Sequence, residues 1–260
     1  MSREHPISIL MYHQVGDFPP MQSHRSTYCH YRRFQAQMAL LHRLRFHVLS
    51  LDQALACLNG ERPTPPRALV LTFDDGYENF YEYAWPVLRR YGFPSMVYLL
   101  SGLLGQPSAW FAGDGRATPR LMDRERILQL RDAGVGFGSH GVSHVRLAEV
   151  DAQTLRWEVG ESKTALEALL GEEVRHFCYP YGSHDRTALA AVEAAGYASA
   201  VTCQRAAATP AFDPLLLPRK AISYGDSLAG FLWKLVMKNR PKGEPLRWRI
   251  NRGRAGPGAS

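Results

Sequence analysis

The chain is expected to be an α/β protein built on a mostly parallel sheet. Short apolar runs rich in β-branched and aromatic residues alternate with amphipathic helical stretches along most of its 260 residues, the pattern of strands covered by helices. That length suits one undivided domain with a core of ordinary size. Periodicity does not choose between an open doubly wound sheet and a closed barrel, but in both the reactive groups gather just beyond the C-terminal ends of the strands.

The first buried strand is read over residues 7–12, and further strands over 69–73, 96–100, 135–139, 177–179 and 198–202, with a weaker one at 221–222. Helices fall between them at 31–44, 51–58, 79–91, 123–133, 154–170 and 185–195. Ser50, with Gln53 three residues later, forms a capping box for the second helix, and glycines at 92, 134, 171 and 196 close the last four. Residues 102–118, with several glycines around Trp110 and Phe111, have no clear period and read as a long loop beside the strand ends, either shaping access or merely connecting.

The formal charge is +7, and it is unevenly placed. From Asp226 to the end there are eight lysines and arginines against Asp226 and Glu244, so the body, residues 1–225, is nearly neutral. A nucleic-acid binder would carry its basic residues over a folded face, so none is expected as a partner. Within 226–260, Leu228, Phe231, Leu232, Leu235 and Val236 follow a helical period with Lys234 and Lys238 at the polar edge. The segment reads either as a last helix packed on the domain or as a peripheral contact with an anionic membrane. Cys29, Cys57, Cys178 and Cys203 form no C-x-x-C pair and read as free thiols. The apolar run at 7–11 is too short for a signal segment and no stretch approaches a membrane span, so residence in the cytoplasm, or on the inner face of its membrane, is expected.

Three strand ends carry chemistry. The run Leu-Val-Leu-Thr-Phe-Asp-Asp-Gly-Tyr at 69–77 drives a buried strand into adjacent carboxylates, Asp74 and Asp75. Such a pair repels unless a positive group lies beside it, although an Asp-Asp-Gly turn can also simply cap a helix. The strand at 135–139 ends in Ser-His-Gly-Val-Ser-His, placing His140 and His144 at i and i+4, on one face if the segment turns helically. One carboxylate and two imidazoles would leave a cation open to water and substrate. The third end, Phe-Cys-Tyr-Pro-Tyr-Gly at 177–182, offers a tight turn that can present a backbone N–H to an oxyanion.

In this order, Thr-Phe-Asp-Asp-Gly, Ser-His-x-x-x-His and Pro-Tyr-Gly resemble the polysaccharide deacetylase family, the NodB-homology or carbohydrate esterase family 4 enzymes, over roughly residues 5 to 225. The resemblance implies a single-domain irregular (β/α)7 barrel that removes acetyl groups from N-acetylated saccharides. It implies that Asp74 is the general base and that Asp75, His140 and His144 hold one divalent ion, Zn²⁺ first, with Co²⁺, Ni²⁺ and Fe²⁺ compatible. The Tyr181 backbone N–H becomes an oxyanion donor. Two blocks depart from the family pattern: Cys178 stands where many members have the arginine that orients the base, and no histidine follows residue 184 to serve as the acid. Arg219 is the candidate replacement for the first. His13, in a Leu-Met-Tyr-His-Gln-Val block resembling the poly-N-acetylglucosamine deacetylases, is the candidate for the second, since an imidazole can protonate a leaving amine at neutral pH. Hydrolysis of O-acetyl esters, hydrolysis of another non-peptide amide, and glycan binding without turnover remain alternatives on the same residues.

Overall fold

The computed structural model describes residues 5–110, 112–114 and 116–241; the basic tail beyond 241, Phe111 and Gly115 lie outside the described residues. In chain order the described elements are β1 (Ser8–Tyr12), β2 (Gln14–Gly16), β3 (Tyr28–His30), α1 (Tyr31–Arg43), β4 (His47–Val48), α2 (Leu51–Leu58), β5 (Ala68–Phe73), α3 (Trp85–Tyr91) and β6 (Met96–Leu99). They continue with α4 (Arg124–Asp132), β7 (Gly136–Ser139), α5 (Ala152–Leu170), β8 (His176–Cys178), α6 (Arg186–Ala194), β9 (Ser199–Val201), β10 (Lys220–Ala221) and α7 (Leu228–Met237).

The predicted strands join in the parallel order β10-β1-β5-β6-β7-β8-β9. The outer strands of that order are brought together by one short segment. Leu217 donates its N–H to the Ala200 carbonyl at 2.9 Å and accepts from Thr202 N–H at 2.9 Å, and a few residues later Ile222 donates to the Met11 carbonyl at 3.0 Å. Residues 217–222 therefore touch β9 on one side and β1 on the other, which curls the sheet into an irregular seven-stranded barrel. The irregularity is greatest at β5, where one edge pairs first with β4 at Ala68 and Leu69 and then with β6 at Thr72 and Phe73.

Alternation along each strand divides the core in two. Leu10, Leu71, Phe73, Val97, Phe137 and Phe177 face outward against α1 and α3 to α6. Ile9, Val70, Tyr98, Cys178 and Val201 face inward, where Leu51, Ala54 and Leu58 of α2 meet them. Both sets are almost wholly buried, so a one-residue slip of any strand would exchange two incompatible faces.

The helix caps follow the sequence closely. Ser50 and Gln53 form the reciprocal capping box on α2, and Asp123, Asp151 and Asp185 cap α4, α5 and α6. The helix expected over 79–91 instead begins as a π-helical stretch, Phe80–Ala84, before α3. Pro86 is the reason: it has no N–H to give to residue 82 and its ring crowds that carbonyl, so the chain widens by one residue there. The small sheet of β2 and β3 went unread because strands of three residues show no period. No helix among the described residues is long and apolar enough to cross a membrane.

Two glycines should respond oppositely to alanine. A Cβ on Gly138 in β7 would lie 2.7 Å from the His176 carbonyl oxygen and 2.7 Å from the Tyr98 ring, whereas one on Gly160 in α5 meets nothing within 4 Å. Gly138→Ala is expected to lower unfolding stability by about 1–3 kcal/mol and Gly160→Ala to raise it by about 0.5–1 kcal/mol. Thermal unfolding of both reads the difference; equal midpoints would refute this account of the barrel wall.

Candidate active site

The reactive side chains lie just beyond the C-terminal ends of strands, as expected, except Arg219, which comes before its strand. His13 follows β1, Asp74 and Asp75 follow β5, His140 follows β7, Tyr181 lies three residues past β8, and Arg219 precedes β10. The two adjacent aspartates diverge. Asp74 faces the barrel interior, where Arg219 clamps both its oxygens, Nη1 to Oδ1 at 2.6 Å and Nη2 to Oδ2 at 2.7 Å. The remaining donors of Arg219 go to the Thr202 carbonyl at 3.0 Å, Thr72 Oγ1 at 3.1 Å and Cys178 Sγ at 3.2 Å. Arg219 is only 1% exposed, so its charge has no solvent to relax into and must be paired. Burial alone would raise the Asp74 carboxyl; the Arg219 charge and hydrogen bonds outweigh it and hold Asp74 below the usual carboxylate range. His13 stands on the other side, Nε2 3.8 Å from Asp74 Oδ2.

Asp75 turns the other way, toward the two histidines. Its Oδ1 lies 3.3 Å from His140 Nε2 and 3.3 Å from His144 Nε2. His140 Nδ1 is 2.7 Å from the Cys178 carbonyl, which can only accept, so Nδ1 carries a proton and Nε2 is the nitrogen that faces Asp75. Asp75 Oδ1 is itself buried with no hydrogen-bond partner. An oxygen and two imidazole nitrogens facing one another, all three residues buried and their ligand atoms within 4.8 Å, fit a divalent cation. Burial would raise the Asp75 carboxyl too, yet His144 and His140 hold it well below the ordinary range. A second grouping, Asp74, His140 and Cys178, is equally compact. It suits a cation poorly, because Asp74 is taken by Arg219 and burial pushes the Cys178 thiol up to about 11, keeping it protonated.

The i, i+4 spacing of the histidines does not act through a helix. Residues 140–144 form an irregular bend, with Gly141 at φ 85° and His144 at φ 64°. The bend wraps a carboxylate that the sequence reading overlooked. Glu158 of α5, fully buried, accepts from Val142 N–H at 2.7 Å, Ser143 N–H at 3.1 Å and the Ser143 hydroxyl. A Cβ on residue 141 would come 2.9 Å from Glu158 Oε2, so the bend needs glycine on both counts. The missed signal was a charged residue on the buried stripe of α5 between Leu155 and Val159. Asp75, His144 and Tyr181 all adopt positive φ without being glycine, at 73°, 64° and 58°. Each costs on the order of 1–2 kcal/mol locally, and three such residues around one centre mark a site whose geometry the surrounding fold enforces.

Trp110, from the long loop, packs on His144 with ring centroids 4.3 Å apart, and Tyr181 packs on the same imidazole at 4.5 Å. Tyr181 lies in a tight turn, Pro180–Gly182, in which Pro180 has no N–H and Gly182 N–H donates to the Tyr179 carbonyl at 2.8 Å.

With this geometry in place the comparisons are decisive. A family model described as polysaccharide deacetylase matches residues 61–200. The chain belongs to the polysaccharide deacetylase family. It is 25% identical over 225 residues to YxkH of Bacillus subtilis, which is named as a polysaccharide deacetylase, covering 86% of this chain and 74% of that protein. It is 28% identical over 137 residues to the poly-beta-1,6-N-acetyl-D-glucosamine N-deacetylase of Escherichia coli, covering 52% of this chain and 19% of that longer enzyme. The fold is shared with the Streptococcus pyogenes deacetylase PplD, solved in complex with acetate, at a TM-score of 0.76 and 24% identity over 88% of this chain and 98% of that one. IcaB from Ammonifex degensii gives a TM-score of 0.76 at 21% identity, over 89% and 97% of the two chains. The deacetylase barrel expected from the motifs is thus the observed architecture.

Replacing Arg219 by Met tests the clamp on Asp74. With the positive charge gone, burial acts unopposed and the carboxyl rises, so the proton that silences a base is retained to higher pH. The acid limb of the kcat/KM profile is expected to move upward; an unmoved limb would separate Asp74 from that titration.

Proposed function

We propose that the chain is a metal-dependent hydrolase that removes acetyl from the nitrogen of an amino sugar, in a glycan or a lipid-linked saccharide, releasing acetate. The observation that carries this reading is the division of labour between neighbouring aspartates, one clamped as a carboxylate by Arg219 and one facing two imidazole nitrogens. Asp75, His140 and His144 would hold one divalent ion, for which Zn²⁺ is the first choice and Co²⁺, Ni²⁺ and Fe²⁺ also suit the donors. Bound there, such an ion supplies a Lewis acid for the acetamide carbonyl and makes a water more acidic.

The side chains supply the rest. Asp74, kept ionised and immobile by Arg219, accepts the proton of the attacking water. Carboxylates have lone pairs enough to take that proton while both oxygens stay bound to the guanidinium. The Tyr181 N–H donates to the developing oxyanion, a contribution of about 3 kcal/mol in hydrolases. His13, beside Asp74 at 3.8 Å, passes its proton to the departing nitrogen. Trp110 and Tyr181 flank His144 and keep water from its ring. Glu158 fixes the bend that carries both histidines.

Asp74→Asn is expected to retain one ion per chain by metal analysis while acetate release from N-acetylglucosamine oligomers falls by at least about 100-fold. His13→Ala should lower kcat with little change in KM, and Asp75→Ala should lose the ion. Full turnover by Asp74→Asn would refute the base assignment, and release from O-acetylated sugars alone would redirect the reading to esters.

The exposed side of α7 supports peripheral contact with the inner face of a membrane. Phe231 and Leu235 pack on the barrel, while Leu228, Trp233, Val236 and Met237 are 45–65% exposed. Trp233→Ser with Met237→Ser is expected to weaken cosedimentation with phosphatidylglycerol vesicles; unchanged binding would remove that contact.

A further inference from the structure

Beside the site lies a second feature that the deacetylase chemistry does not use. A cleft of about 270 Å³ opens between the turn at 203–205, β10 and α7, lined by Arg205, Arg219, Lys220, Ser223, Lys234 and Lys238, with no carboxylate in its wall among the described residues. Two of its cations, Lys220 and Arg205, meet no carboxylate among the described residues. Asp74 matches Arg219 and Asp226 matches Lys234 at 2.6 Å. Lys220 is held only by neutral acceptors, Ser8 Oγ, the Leu235 carbonyl and Asn239 Oδ1, and burial pushes its amine down to about 8. Arg205 Nε is buried with no hydrogen-bond acceptor at all. A buried guanidinium N–H in a basic cleft lacks an acceptor that a multiply charged oxyanion would provide.

The cleft also abuts the reactive centre. Arg219 lines it and clamps Asp74, and Cys203, another lining residue, presses on Gly182, where a Cβ would come within 2.8 Å of the Cys203 Cβ. We propose that this cleft binds a phosphoryl group carried by the saccharide substrate, so that the enzyme acts on a sugar phosphate or phosphate-linked saccharide. This rests on the deacetylase reading for the sugar, while the phosphoryl site stands on the cleft alone.

The test uses the full chain and the Arg205→Gln, Lys238→Gln double variant, neither position belonging to the catalytic machinery. Calorimetry measures binding of inorganic pyrophosphate and of N-acetylglucosamine 1-phosphate, and acetate release compares that sugar phosphate with neutral methyl N-acetylglucosaminide. The variant is expected to lose about tenfold in affinity for both phosphates and to raise KM for the sugar phosphate by about tenfold, leaving the neutral sugar unchanged. Equal affinities in the two proteins, or equal KM changes for both sugars, would overturn the proposal. So would a variant that loses only phosphatidylglycerol vesicle binding, which would assign the cleft to a lipid headgroup. If neither sugar is hydrolysed, the deacetylase reading fails, and calorimetry with the sugar phosphate still decides the cleft.

Discussion

The buried ion pair between Arg219 and Asp74 is the constraint around which the rest is arranged. A guanidinium with almost no solvent contact cannot stay in the barrel unless a carboxylate meets it with good geometry and every other N–H finds an acceptor. Here both conditions hold: two short bonds reach Asp74, and the remaining donors reach a carbonyl, a hydroxyl and a sulfur. The pair links β5 to the segment that closes the barrel. The contact that brings the sheet round is therefore also the contact that keeps a carboxylate charged at the centre of the site.

Much of this was legible in the sequence because strand ends are where parallel sheets place chemistry. The runs leading into Asp74, His140 and the Pro180–Gly182 turn announced both strand and site, and the capping box on α2 and the glycines that follow α3 to α6 could be read directly. The rest was hidden for physical reasons. The bend at 140–144 depends on Glu158, a partner from another element whose role only tertiary packing reveals, so a helical spacing was the wrong inference from the right histidines. The π-helical entry to α3 follows from one proline whose effect on a neighbouring carbonyl leaves no periodic trace. Closure through 217–222 showed only as a weak strand at 221–222, because β10 has only two residues.

The departures from the family pattern are resolved in space rather than in sequence order. Cys178 occupies the β8 position where many family members carry the orienting arginine. Its thiol, kept neutral by burial, accepts a hydrogen bond from the arginine that arrives from beside β10 instead. Moving a guanidinium between two strands of one barrel can keep its head near the same carboxylate while exchanging the backbone that supports it. The same geometry accounts for His13, which reaches Asp74 from β1 in a chain that has no late histidine.

Closure by residues 217–222 has a consequence for how the molecule comes into being. Arg219 meets Asp74 across 145 residues of chain, and pairings over such a separation form late because the intervening loop must first be ordered. On the ribosome, β1 and β5 emerge with a carboxylate that has no counter-charge, and the barrel stays open until residues 217–222 have followed them. Competence is thus acquired in one step, when the closing segment clears the exit tunnel.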